Sequence, residues 1–179
     1  IEEVNFETFL YISKNKYQIF VLDKIDSKNL YNKEIKTSDE DDLNNLSKFL
    51  DDPKTVRTLK RIAVHDRSWF VRNAALKSIG SEMSSKEFLI AYIREKHSQP
   101  RRTIISKMSA LHSEDALKLI RKYLNRDDSY IVQAEMIKQL GNIGEKSDIS
   151  KIETLKKEWS PRKIIQKSAA KSLLKLNDN

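Results

Sequence analysis

Asp66-Arg67-Ser68-Trp69-Phe70-Val71-Arg72-Asn73-Ala74-Ala75-Leu76-Lys77-Ser78-Ile79-Gly80 is the stretch that decides the fold. An Asp that can cap exposed N–H groups opens it. Apolar residues then recur at helical spacing through Val71, Ala74, Ala75 and Ile79. Gly80 stands where a helix C-cap glycine belongs. The pattern returns three times. Gln99-Pro100-Arg101-Arg102-Thr103-Ile104, Asp127-Asp128-Ser129-Tyr130-Ile131-Val132 and Ser160-Pro161-Arg162-Lys163-Ile164-Ile165 align with Asp66 to Val71, at spacings of 33, 28 and 33 residues. Each ends on a β-branched apolar residue. Asp66, Gln99, Asp127 and Ser160 are expected at the N-cap, with Pro100 and Pro161 at the first helical position, where a missing N–H costs nothing. Gly141 follows Val132 by nine residues, as Gly80 follows Val71. A period near thirty with helical signals on both sides predicts stacked helical hairpins rather than one undivided core.

The first helix of each hairpin lies between these stretches. Asp52-Pro53 opens one carrying Val56, Leu59 and Ile62. Ser84-x-x-Glu87 is a capping box opening a second, with Phe88, Leu89, Tyr92 and Ile93. Ser113 opens a third with Leu117, Ile120 and Leu124, and Ser147-Asp148 a fourth with Ile149, Ile152 and Leu155. Residues 51–179 therefore divide into four hairpins. Residues 1–50 are expected to hold less regular helices of the same stack, at 3–14 and 17–30. The Asp39-Glu40-Asp41-Asp42 cluster reads as the acidic first turn of a helix through Leu43, Leu46, Phe49 and Leu50. The phase of the first hairpin stays open, since 39–50 is also a candidate partner for 53–64. The fold class is all-α, an α-α superhelix.

Composition sets the limits. Among 179 residues there are three Gly and three Pro, little punctuation for a chain of many strands. Charged residues make up 34 % and hydrophobic ones 39 %, enough to fill a core and far from the roughly 20-residue apolar run of a bilayer span. There is no Cys, hence no disulfide and no thiolate metal site, which fits a cytoplasmic protein. The first residues, Ile1-Glu2-Glu3-Val4, have neither a start Met nor a signal-peptide pattern, and a fragment of a longer chain is expected. The net charge of +8 is uneven: residues 1–50 carry seven Lys against ten acids, so the repeats hold the positive charge. A basic helical stack attracts polyanions, and a Lys-rich coat also simply keeps helices solvated.

The run Val71-Arg72-Asn73-Ala74-Ala75-Leu76-Lys77-Ser78-Ile79-Gly80, a cap followed by Val-Arg-x-Ala-Ala and then Gly, resembles a HEAT repeat. The resemblance covers about 51–176. In the alignment above the Arg72 position holds Ile105, Gln133 and Gln166, so no regular Asp–Arg ladder is expected. More narrowly, Asp66-Arg67-Ser68-Trp69-Phe70-Val71-Arg72 and Asp127-Asp128-Ser129-Tyr130-Ile131-Val132-Gln133-Ala134-Glu135, ending at Leu140-Gly141, are similar to the C-terminal helical-repeat region of zinc aminopeptidases of the aminopeptidase N type. That resemblance implies a zinc site in an upstream domain and a repeat region that closes over it and limits peptide access. It implies an upstream catalytic domain as partner, a peptide as substrate, and no cofactor in this chain itself. In outline the chain is also similar to HEAT-like DNA alkylation-repair glycosylases, with Trp69 alone to carry it.

No catalytic constellation emerges. His65, His97 and His112 lack the His-Glu-x-x-His spacing of a zinc hydrolase, and each falls near a helix end, where a capping or solvated role is expected. Gly-x-Ser-x-Gly and Gly-x-x-x-x-Gly-Lys are absent. The candidate binding edge is made of Ser68-Trp69, Arg101-Arg102, Ser129-Tyr130 and Arg162-Lys163, aromatic and basic pairs alternating from repeat to repeat. With Arg72, the residues Trp69, Arg101, Arg102, Tyr130, Arg162 and Lys163 would grip a peptide carboxylate, an acidic protein partner or phosphate. Alternatively, Trp69 and Tyr130 pack between hairpins and the cations are solvated.

Overall fold

The computed structural model describes residues 9–13, 16–20, 50–51, 53–79 and 82–177. From Pro53 onward the regular structure is helical. The helices are α1 (Pro53–His65), α2 (Trp69–Ile79), α3 (Ser85–Arg94), α4 (Ser98–Leu111), α5 (Ser113–Tyr123), α6 (Tyr130–Ile143), α7 (Ile149–Lys157) and α8 (Ile164–Asn177). Short 3-10 turns, Lys146–Asp148 and Pro161–Lys163, lead into α7 and α8.

Local chemistry explains the boundaries. Pro53 occupies the first position of α1. Ser84 and Glu87 form the capping box at α3, the Ser84 hydroxyl accepting from the Glu87 N–H and Glu87 accepting from the Ser84 N–H. The His97 ring caps α4, accepting from the Gln99 N–H at 3.4 Å, and His112 Nε2 pairs with the Met83 carbonyl oxygen at 2.9 Å between α4 and α5.

Helices pair in chain order, α1 with α2, α3 with α4, α5 with α6 and α7 with α8. The second members touch in sequence, α2 on α4, α4 on α6 and α6 on α8. The first members follow behind, with α1 on α3 and α3 on α5. α1 packs on α2, while 39–49, which the sequence also offered as a partner for α1, lies outside the described residues. Between the two rows runs one apolar core in which Ile79, Ile120, Leu124, Val132, Met136, Ile137, Leu140, Ile152 and Ala169 are fully shielded. Each pair has an apolar stripe that it cannot cover alone and shares it with the next.

Three expectations change. Residues 9–13 and 17–20, read as helical, lie in antiparallel strands β1 (Phe9–Ser13) and β2 (Lys16–Phe20), with Leu10 opposite Ile19 and Ile12 opposite Tyr17. Aromatic and β-branched residues concentrated in two five-residue runs favour a pleated ladder over a helix. The remainder of 1–49, the Asp39–Asp42 cluster included, lies outside the described residues, as does Gly80. Second, the caps shift: α4 starts at Ser98, so Gln99 lies inside the helix, and α2 and α6 start at Trp69 and Tyr130, so Asp66 and Asp127 stand three residues before them, with Ser129 at the α6 cap. Proline is tolerated throughout a first turn because those N–H groups have no helical partner, and Pro100 does not mark the first residue. Third, Gly141 is inside α6, not at its cap. A Cβ there would lie 2.7 Å from Ser172 Cα, so this glycine lets α6 and α8 approach closely.

Candidate functional site

The loops before α2, α4 and α6 repeat one geometry. Asp66 Oδ1 accepts from the Ser68 N–H at 2.7 Å, Glu95 Oε1 from the His97 N–H at 2.7 Å, and Asp127 Oδ1 from the Ser129 N–H at 2.9 Å. Ser160 Oγ serves the Ile165 N–H at 3.0 Å. Six residues after each of the three acids comes a donor on the helix. Arg72 Nη1 binds the Asp66 carbonyl at 2.7 Å, Arg101 Nη1 binds the Glu95 and Lys96 carbonyls, and Gln133 Nε2 binds the Asp127 carbonyl at 2.6 Å. In the fourth repeat Gln166 instead accepts from the Ser160 hydroxyl and donates to the Glu158 carbonyl. The structural counterpart of Asp66 is therefore Glu95, and that of Arg72 is Arg101.

The arginines also reach forward to the next repeat. Arg72 grips Glu95 through Nε at 2.6 Å and Nη2 at 2.7 Å, and Arg101 Nη2 meets Asp127 at 2.9 Å and Asp128 at 2.5 Å. Asp127 accepts from the Tyr92 hydroxyl as well, at 2.6 Å. An acid–Arg ladder thus joins the first three pairs, contrary to the expectation from Ile105. It ends where glutamine, too short and uncharged, replaces arginine. Burial pushes the Glu95 carboxyl up, but the Arg72 guanidinium and the His97 N–H outweigh it and hold Glu95 below the usual carboxylate range. Burial and the bond to Asp127 drive the Tyr92 phenol far above its ordinary value. Arg72 and Arg101 are engaged in these ion pairs, with side chains only 15 % and 10 % exposed. Arg101, together with Asp128, also lines the open groove between the starts of α4, α6 and α8.

Arg102 is displaced too. It lies about one helical turn beyond the Trp69 position, is half-exposed, and meets Glu135 of α6 at 3.2 Å. Trp69 and Tyr130 are the first residues of α2 and α6, and Arg162 and Lys163 lie in the 3-10 turn that leads into α8. Trp69 lies flat on His97, ring centres 4.0 Å apart, and Tyr130 meets Trp159 edge-on at 6.1 Å. Arg162 and Lys163 are exposed, have no ion-pair partner among the described residues, and adopt φ of 53° and 55°. Two consecutive left-handed non-glycine residues strain the backbone by about 1–2 kcal/mol each. Between the starts of α4, α6 and α8 runs an open groove of about 530 Å³, lined in part by Lys96, His97, Tyr130, Ile131, Pro161 and Ile164.

Trp159, 75 % exposed, escaped the sequence reading because it sits outside every helical stripe. Its signal was available: an aromatic two residues before Pro161, in a loop, has no apolar face to join. Glu95 escaped because the repeat was counted from Ile104.

Chemically the edge offers cations, flat aromatic surface and an apolar floor. Among the described residues no three His, Asp or Glu side chains converge on a metal-sized site. No helix of the described residues is long and apolar enough to cross a membrane. No protein-family model matches the chain, and neither a curated protein nor a solved structure is significantly similar to it.

Proposed function

We propose that the chain is a HEAT-type solenoid that binds rather than catalyses, and that it serves as the C-terminal domain of a zinc aminopeptidase, shaping peptide access to a zinc site in an upstream domain. One observation carries the repeat reading: the six-residue step from loop carbonyl to helix donor, taken by Asp66 and Arg72, Glu95 and Arg101, and Asp127 and Gln133, with Ser160 and Gln166 bonded at the same separation but with the Ser160 hydroxyl as donor. This lock fixes each loop on its own second helix, and the forward bonds of Arg72 to Glu95 and of Arg101 to Asp127 hold the first three hairpins against one another. The parent assignment is supported by the likeness of Asp66–Arg72 and Asp127–Gly141 to aminopeptidase repeats.

The test is the coding sequence preceding Ile1. A continuous frame containing His-Glu-x-x-His and a Glu on the following helix is the expected result. A frame without them overturns the aminopeptidase part and leaves the solenoid. A second reading, a free-standing scaffold, is favoured by the Tyr130–Trp159 pair beside Arg162 and Lys163. Exposed Trp, Tyr and Arg beside an apolar groove are the residue types that dominate protein–protein contacts.

A further inference from the structure

We infer that the outward face of the second-helix row, centred on α8, is a docking surface for an acidic polypeptide segment. It is separate from the edge and does not depend on the aminopeptidase assignment. Across α2, α4, α6 and α8 there is one acidic residue, Glu135. It is 4 % exposed and already engaged by Arg102, Lys138 and Gln139. The first-row helices, by contrast, carry Glu87, Glu114, Asp115 and Glu153. Three of the four first-row helices interleave acids with their cations, whereas the three lysines of α8 share their helix with no acid.

The face also has a shape. Between α6 and α8 lies a groove of about 300 Å³ lined by Lys138, Lys167, Ser168, Lys171, Ser172 and Lys175. Both hydroxyls are turned inward, Ser168 donating to the Ala134 carbonyl at 2.6 Å and Ser172 to the Ile137 carbonyl at 2.8 Å. The lysines therefore define its chemistry. Lys138 bonds Glu135 and Lys175 bonds Asn142, while Lys167 and Lys171 have no partner among the described residues. Lys167, Lys171 and Lys175 follow one stripe of α8, about 6 Å apart along the axis. Carboxylates spaced every fourth residue on a partner helix meet that stripe in register.

A nucleic acid is the poorer occupant. Its binding draws on arginine forks, helix N-termini and aromatic stacking. Here Arg102 is taken by Glu135, the helix N-termini lie at the edge, and neither α4 nor α8 contains an aromatic residue.

The experiment uses the whole chain and a fluorescent peptide with Glu at every fourth position, at about 150 mM salt, where weak long-range attraction is screened. Lys167→Glu with Lys171→Glu is compared with Lys86→Glu plus Arg94→Glu on α3, which makes the same charge change on the other row. Circular dichroism shows whether both variants keep the helical spectrum of the parent. The expected result is saturable binding that falls about tenfold or more in the α8 variant and less than about twofold in the α3 variant. Equal losses, or no saturable binding, overturn the proposal. Tighter binding of a DNA duplex than of the peptide overturns it in favour of nucleic acid. If the α8 variant loses helicity, Lys167→Gln with Lys171→Gln replaces it, read by the same comparison.

Discussion

Arg101 touches oxygens from two repeats: the Glu95 and Lys96 carbonyls of its own loop, and the Asp127 and Asp128 carboxylates of the next. Removing the guanidinium leaves Asp127, 8 % exposed, with only the Tyr92 hydroxyl and the Ser129 N–H. Breaking a buried ion pair from one side is costly, and Arg101→Met is expected to destabilise the fold by about 3 kcal/mol in urea unfolding. Arg101→Gln restores the reach to the loop carbonyls, as Gln133 shows in its own repeat, and is expected to recover about 1 kcal/mol. Equal losses in the two variants would mean that the loop bond is worth nothing. Arg101 was misplaced from sequence because the apolar period aligned Ile104 with Val71. The legible signal was different: Glu95 and Arg101 stand at the same separation as Asp66 and Arg72. Apolar periodicity tells which face is buried, and it is silent on which polar side chain crosses to the next repeat.

The packing of α6 on α8 rests on Gly141 and Ser172. A methyl group at 141 would lie 2.7 Å from the Cα, Cβ and Oγ of Ser172, so the two helices must separate. Alanine is intrinsically the better helix former by about 1 kcal/mol, but overpacking a closed interface costs about 1–3 kcal/mol. Gly141→Ala is expected to destabilise by about 1–2 kcal/mol net on thermal unfolding. Ser172→Ala does not rescue it, because the backbone Cα is itself in the way. A stabilised Gly141→Ala variant would show that the helices have room. At this scale the sequence was largely readable from Pro53 onward: the helical stripes, the Ser84–Glu87 box and the chain order of pairs are local properties. The strands at Phe9–Ser13 and Lys16–Phe20 were not. Five-residue apolar runs fit either period, and the ladder partner, not the run, decides.

Across the molecule, the repeats are tied by carboxylates held charged in partly buried places. Glu95 joins the α3–α4 loop to α2, Glu135 joins α6 to α4, and Asp148 joins the start of α7 to Arg121 of α5. Burial raises each carboxyl, and the facing cations and hydrogen bonds more than reverse it, so all three lie below their ordinary values. The unfolded chain therefore binds protons at a higher pH than the folded one. Stability is expected to be flat above about pH 5 and to fall as the pH drops through the usual carboxylate range near 4 and on toward the lowered folded values. Because each carboxylate bridges two hairpins, the loss is of stacking between pairs, and cooperativity should weaken along with the midpoint. Urea titrations from pH 7 to pH 3 measure both. Arg72→Met with Arg121→Met removes the cations that keep Glu95 and Asp148 charged. The double variant is less stable at neutral pH and its stability changes less with acid, so the two curves converge as the pH falls. Parallel curves would place the acid sensitivity elsewhere in the chain and leave these bridges as static contacts.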